Sequence, residues 1–331
     1  MKKNSKKIIC ISLLCIIGLS FGMLYFIKNE KINFENDNNL SLANMEYSYK
    51  EHETKKINVN LDNPVGIEVM DDELVVADSS NNQILFIDKK NYKVNKIIGN
   101  TGNSEGEFIS PQGIAIDDEK NIYVVDSGNR RIQKLTRDGE IDEVINLDVF
   151  KNGANDISKL NDIAIDKNHN IYISVLSVYE SEAKIYFIDN NRQTKSIGKG
   201  FIGYLDSYQG EVYFMSLGEF YKKKDLQGYR SGKNFLLKLK DGTIEKGYYL
   251  PKEYTPTSFS IVNDEIFVIS KTFRSIDRLD LKGNYIETMY LEGKDENSGS
   301  GLQYLIADTD GYIYFTDSID KCIYELKTSI E

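Results

Sequence analysis

Apolar residues along this chain come in short runs, each cut off by a cluster of Asp, Asn and Gly. In SPQGIAIDDEKNIYVVDSGNRRIQKLTRDGE, Ser110–Glu140, the runs GIAI, NIYVV and RIQKL are divided by DDEK and DSGNR. Short runs rich in Ile, Val and Tyr and bounded by turn formers predict strands, not helices. The same arrangement recurs in Leu61–Gly99, in Ile157–Gly198, and in weaker copies near 203–220, from 257 and from 302. The residue ahead of the first strand core in each copy is Gly66, Gly113, Asp162, Tyr204, Ser258 and Tyr304, so the unit repeats every 42 to 54 residues. A repeat of that length built from four strands is a propeller blade. One such blade cannot cover both of its faces, and stacking blades around an axis covers them all.

These copies predict an all-β fold, a six-bladed β-propeller with four-stranded blades. The last copy ends CIYELK and leaves only TSIE for a fourth strand. The segment KKINVNL, Lys55–Leu61, is expected to supply that outer strand, so that the ring is closed by strand 55–61 and an exposed edge is removed.

The stretch PQGIAIDDEKNIYVVDSGNRRIQKLTRDGE resembles the NHL repeat family. The likeness is strongest over Phe108–Leu147, and the copies together cover nearly all of residues 55–331. The resemblance implies a six-bladed propeller. It also implies a binding role, since that family is mostly known for recognition.

The N-terminus differs in kind. Lys2, Lys3, Lys6 and Lys7 precede Ile8–Ile27, a stretch without a charge. At about 1.5 Å per residue it is long enough to cross a bilayer core of roughly 30 Å. A cleaved signal peptide would use the small residues Ser20 and Gly22, but the apolar run exceeds a usual h-region. Lipidation at Cys15 would place Leu14 where a small residue is normal. The reading adopted is an uncleaved transmembrane helix. Residues 1–7 are then a cytoplasmic tail, 8–27 a signal anchor, 28–54 a polar tether, and 55–331 a propeller outside the cell.

Charge narrows the partners. The net charge of −10 becomes −14 without the four leading lysines. Such a surface does not suit nucleic acid, which needs clustered Lys and Arg. Only Cys322 lies in the folded part, so no disulfide forms there, and the two histidines, His52 and His169, are too few for a His-rich metal site. No cofactor is expected.

Three copies share D-S-x-[N/D]-x-x-I, beginning at Asp78, Asp126 and Asp317. Asp and Asn in this spacing tie down neighbouring backbone, so these residues are read as shaping the loop from second to third strand. Gly66 and Gly113 are read as permitting close backbone approach near the axis.

In such a blade the second-to-third loop and the link between blades share one face. The short turns DDEKN, DKNHN and TDGY fall on the other, and His169 is a turn residue there. The long segments, above all SLGEFYKKKDLQGYRSGKN, fall on the first. Variable loops on a rigid frame are where binding resides. The candidate ligand residues are therefore Arg130, Tyr179, Phe220, Tyr221, Tyr229, Arg230, Phe273 and Arg274. Aromatics interleaved with cations suit an extracellular protein, peptide or glycan. The competing reading is a metal-assisted, calcium-type lactonase-like or lyase-like enzyme. Calcium needs several inward oxygens. The inner strand starts offer Asn63, Gln112, Asn161 and Asp162, with Asn161 and Asp162 as the metal candidates. No nucleophile triad, HExxH or phosphate loop occurs.

Overall fold

Ile, Val and Phe alternate with Tyr, Ser and Thr along runs that are apolar on both sides, and such strands persist only where both faces are covered. The computed structural model describes residues 32, 34–35, 49–147, 159–177, 183–198, 200–223, 226–230, 234–250, 256–270, 275–291 and 301–328. For 49–51, 218–223, 226–230, 270 and 290 it describes the backbone only. Two short strands, β1 (Tyr49–His52) and β2 (Thr54–Ile57), precede the blades. Blade 1 is β3 (Pro64–Met70), β4 (Glu73–Asp78), β5 (Gln83–Asp88) and β6 (Val94–Ile98). Blade 2 is β7 (Pro111–Ile116), β8 (Ile122–Asp126), β9 (Arg131–Leu135) and β10 (Ile141–Asn146). Blade 3 is β11 (Lys159–Ile165), β12 (Ile171–Leu176), β13 (Lys184–Ile188) and β14 (Thr194–Ile197). Blade 4 is β15 (Phe201–Tyr208), β16 (Glu211–Lys223), β18 (Phe235–Lys240) and β19 (Thr243–Tyr249), with β17 (Leu226–Arg230) paired only to β16. Blade 5 is β20 (Pro256–Val262), β21 (Glu265–Ser270), β22 (Ser275–Asp280) and β23 (Tyr285–Leu291). Blade 6 is β24 (Leu302–Ala307), β25 (Tyr312–Asp317) and β26 (Cys322–Lys327), and its outer strand is β2.

The chain is thus a six-bladed, all-β propeller. β2 runs antiparallel to β26, with Thr54 opposite Leu326 and Ile57 opposite Ile323. Buried clusters fill the spaces between consecutive blades. One joins blade 6, blade 1 and blade 2 through Tyr304, Tyr314, Val65, Leu74, Ile114 and Ile122, and others join each later pair.

Every inner strand carries a register shift near its start, between Pro64 and Ile67, Pro111 and Ile114, Leu160 and Asp162, Ile202 and Gly203, Pro256 and Ser258, and Leu302 and Leu305. Extra residues of this kind increase strand twist, which the crowded axis of a propeller demands. Gly66 and Gly113 sit inside these bulges. A Cβ on Gly66 would lie 2.3 Å from the Gln112 carbonyl oxygen, and one on Gly113 2.8 Å from the Cα of Asp162. Both are needed because the next blade's backbone occupies the space a side chain would take.

Within the segment 28–54, the described residues lie on the outer rim. Phe34 pairs with Gly247 of β19 and stacks on Tyr249, rings 4.0 Å apart and 11° from parallel. The Glu35 carboxylate accepts a 2.6 Å bond from the Tyr248 hydroxyl, which, with Lys246, holds it below the usual carboxylate range. β1 adds a parallel fifth strand to blade 5 alongside β23. The N-terminal segment therefore visits the outer edges of blades 4, 5 and 6 in turn. Among the described residues no helix is long and apolar enough to cross a membrane. Ile8–Ile27, expected to be an anchor, lies outside the described residues.

Candidate functional site

The Asp that opens each D-S-x-[N/D] motif holds backbone of the loop face. Asp78 accepts bonds from the amides of Asp62 and Asn63 and from Asn81 Nδ2. Asp126 accepts from the Ile109 amide at 2.8 Å, Asn129 Nδ2 at 2.8 Å and Arg131 Nε at 2.7 Å. Asp317 accepts from the amides of Ile319 and Asp320. Arg131 is buried and donates three further N–H groups to the carbonyls of Asn103, Ser104 and Glu107. The long segment 99–110 is thereby built against blade 2 and is not a free binding loop.

On the axis the inner strands present carboxyls, of which the sequence reading named Asp162 and passed over Glu68 and Asp206. Asp162 Oδ1 accepts the Ile163 amide at 3.0 Å, and Oδ2 accepts the Leu205 amide of blade 4 at 2.9 Å. Asp206 Oδ2 accepts the Ile261 amide of blade 5 at 2.6 Å, and the Ser260 hydroxyl also bonds it. Ser258 and Ser260 in turn accept the Leu305 and Ala307 amides of blade 6, each at 3.2 Å. Each of these side chains staples one inner strand to the next. Burial pushes Asp162 up to about 8 and Asp206 up to about 7, with the amide bonds opposing the shift. Glu68 is raised well above the usual range by burial and by the negative charge of Asp206 and Asp162.

Tyr304 of blade 6 reaches across the axis. Its hydroxyl donates to the main-chain oxygen of Asn161 in blade 3 at 3.1 Å, and its ring meets Tyr204 edge-on, 5.2 Å between centroids. Glu68, Asp162, Asp206, Ser258 and Tyr304 line a central cavity of about 10 Å³, the room of one water molecule.

These contacts bear on Asn161 and Asp162, the residues that would serve if a metal were bound, although none was expected. Both oxygens of Asp162 already accept amides, and Asn161 is engaged by Tyr304 and Ser174. Among the described residues no group of three His, Cys, Asp or Glu is placed to hold a metal ion. The donor set does not fit a cation at Asn161 and Asp162.

The axial carboxyls do set a pH dependence. In the unfolded chain they lose their protons near pH 4. In the folded chain they keep them to about 7 and 8. The folded state therefore binds more protons between those limits, and stability falls as pH rises through about 4 to 8. Thermal melts at pH 5 and pH 8.5 are expected to show the higher midpoint at pH 5. The Asp162→Asn, Asp206→Asn variant is expected to show a smaller gap, and an unchanged gap would assign the effect elsewhere.

The long insertion of blade 4 is a two-stranded ribbon. β16 pairs with β18 only over Val212–Met215, then continues, and β17 returns along it. The register sets Phe220 opposite Tyr229, Tyr221 opposite Gly228 and Glu219 opposite Arg230. Beyond the last pair with β15, Phe201–Glu219, the ribbon extends by roughly 14 Å at about 3.4 Å per residue. Four of the expected ligand residues, Phe220, Tyr221, Tyr229 and Arg230, thus share one element. Arg130 lies in the β8–β9 turn of blade 2, two blades away, half-buried and with its amide bonded to the Ser127 carbonyl. Tyr179, Phe273 and Arg274 lie outside the described residues.

The signal for Glu68 and Asp206 was present in GIEVM and YLDSY, two positions beyond Gly66 and Tyr204. A period of two puts those positions on the same side of the strand. Asn234, at the base of the ribbon, was also missed. It is 1% exposed, and neither its Nδ2 nor its Oδ1 has a partner among the described residues.

Known proteins share this architecture. A gluconolactonase from Xanthomonas campestris superposes with a TM-score of 0.60 at 12% identity, over 83% of this chain and 89% of its own. A calcium-binding protein, regucalcin, from Agrobacterium tumefaciens str. C58 gives 0.61 at 10% identity, over 85% and 95%. Virginiamycin B lyase from Staphylococcus aureus gives 0.55 at 14% identity, over 83% and 99%. At these identities the likeness is one of fold. No curated protein sequence matches. The family described as 6-bladed beta-propeller matches residues 26–250, two thirds of the length, and its span takes in the ribbon and the rim segment as well as four blades. The chain belongs to that 6-bladed beta-propeller family.

Proposed function

We propose that this propeller is a recognition module for a protein, peptide or glycan, held outside the cell by Ile8–Ile27, and that the β16–β17 ribbon grips the ligand. The observation that carries this reading is the ribbon itself, a paired extension of one blade that the other five blades do not have among the described residues. Residues 219–233 contain Lys222, Lys223, Lys224, Arg230 and Lys233 against Glu219 and Asp225, in a chain that is otherwise acidic. Tyr and Arg are the residues that most often dominate binding energy, at about 2 kcal/mol or more each. The NHL resemblance supports the same role.

The test is capture by the full-length chain in membranes, followed by mass spectrometry of what is retained. Tyr221→Ala with Arg230→Ala is expected to lower capture at least tenfold. Undiminished capture by that variant removes the ribbon from the site.

A metal-assisted lactonase-like or lyase-like activity is the second reading. The fold of the gluconolactonase and the lyase favours it, together with Glu68, Asp162 and Asp206 on the axis. The engaged oxygens of Asp162 and Asn161 weigh against it. Metal analysis of the purified chain separates the two readings, since one divalent ion per chain revives the enzyme.

A further inference from the structure

Gly247 lies inside β19, the outer strand of blade 4, and its backbone is not in the left-handed region that favours glycine. Glycine in a strand interior weakens the strand and often marks a close approach by another group. The group here is Phe34. A Cβ on Gly247 would lie 2.9 Å from the Phe34 ring and 3.0 Å from Leu237 Cδ2. Phe34 stacks on Tyr249 and meets Phe235 edge-on at 6.1 Å, and Ile32 packs on the same buried cluster. The Glu35 amide donates to the Gly247 carbonyl at 3.0 Å. Its carboxylate lies 3.4 Å from Lys246 Nζ as well as on the Tyr248 hydroxyl. Ile32, Phe34 and Glu35 are seated on the edge of blade 4 by packing, backbone and charge together.

That seat is close in sequence to the apolar run. Only Lys28–Lys31 separate Ile27 from Ile32. A chain spans at most about 3.6 Å per residue, so Ile32 is held within about 18 Å of Ile27. Without the seat the next fixed point would be Tyr49, at the start of β1, and residues 28–48 would reach about 70 Å. We propose that the seating of Ile32, Phe34 and Glu35 holds the outer edge of blade 4 at the surface of the lipid bilayer, so that the propeller is mounted by this edge and does not hang on a long tether. The proposal rests on the anchor reading above and adds how the ring is mounted. Blade 1 stands opposite blade 4 in a ring of six, so its outer strand β6 is the edge held farthest from the lipid. The blade that carries the β16–β17 ribbon is the one nearest to it.

The test measures energy transfer from the full-length chain, reconstituted in phosphatidylcholine vesicles, to a rhodamine-headgroup lipid. Cys10→Ser with Cys15→Ser leaves Cys322, which is buried. A donor dye is then attached through Thr243→Cys on β19 or Ile97→Cys on β6, both exposed positions. Transfer from position 243 is expected to exceed transfer from position 97 at least twofold. Twenty Gly-Ser residues inserted between Lys31 and Ile32 add a flexible leash of about 25 Å and leave the ring untouched. They are expected to bring the two signals to the same level, and Phe34→Ser with Glu35→Lys is expected to do so by emptying the seat. Equal transfer from the two positions without these changes, or a difference that survives either of them, overturns the proposal. An alkaline carbonate wash separates it from the anchor reading. A chain that is retained but shows equal transfer keeps its anchor and loses the blade 4 mounting, and a chain that is washed off loses both.

Discussion

Ile57→Asp is expected to lower the melting midpoint by about 10 °C and to leave much of the chain aggregated. Ile57 is 1% exposed, lies on β2 and faces Ile323, itself fully buried, across the pair that joins the N-terminal segment to blade 6. A carboxylate placed there loses its water and meets only apolar neighbours, at a cost of about 4 kcal/mol or more. Each kcal/mol moves the midpoint of a domain of this size by roughly 2–4 °C. Lys56→Asp is the control. Lys56 is exposed on the same strand, so its replacement is expected to change stability by about 0.5 kcal/mol at most. Equal, small shifts for the two variants would mean that β2 does not hold the ring.

Asp126→Ala is the second large effect. Asp126 is fully buried and is the counter-ion of Arg131, whose side chain is 7% exposed. Removing one partner of a buried pair leaves an uncompensated charge and costs about 3–5 kcal/mol. It also frees the Ile109 amide and Asn129, so segment 99–110 is expected to become sensitive to protease. Adding Arg131→Met removes the stranded charge. The double variant is therefore expected to recover at least half of the lost stability, measured by urea unfolding. Additive losses would show that the loop contacts of Arg131 outweigh its pairing with Asp126.

Much of this architecture was legible in the order of residues. The six anchors Gly66, Gly113, Asp162, Tyr204, Ser258 and Tyr304 all fall at the bulged starts of inner strands, because the same crowding acts at the same place in every blade. The turn role of Asp78, Asp126 and Asp317 was also legible, since Asp bonds to nearby backbone are local. What depended on distant contacts was not. Phe34 and Glu35 sit in a polar stretch, and only the Tyr248–Tyr249 edge of blade 4 gives them a place. Tyr304 reads as one more strand aromatic until the ring brings Asn161 opposite it. FYKKKDLQGYR lacks the Asn-Gly or Asp-Gly turn that marks a hairpin, and so it read as an irregular loop, yet β16 and β17 pair along it. Glu68 and Asp206 were passed over although each lies two positions beyond an anchor, on the same side of its inner strand.

The most direct test of the account is where a ligand touches the propeller. A photo-crosslinking residue placed at Tyr221, on the ribbon, or at His169, on the short-turn face, can be activated in the full-length chain in intact cells. The account predicts covalent adducts from position 221 and none from position 169. Adducts from 169 alone, or equally from both, would contradict it.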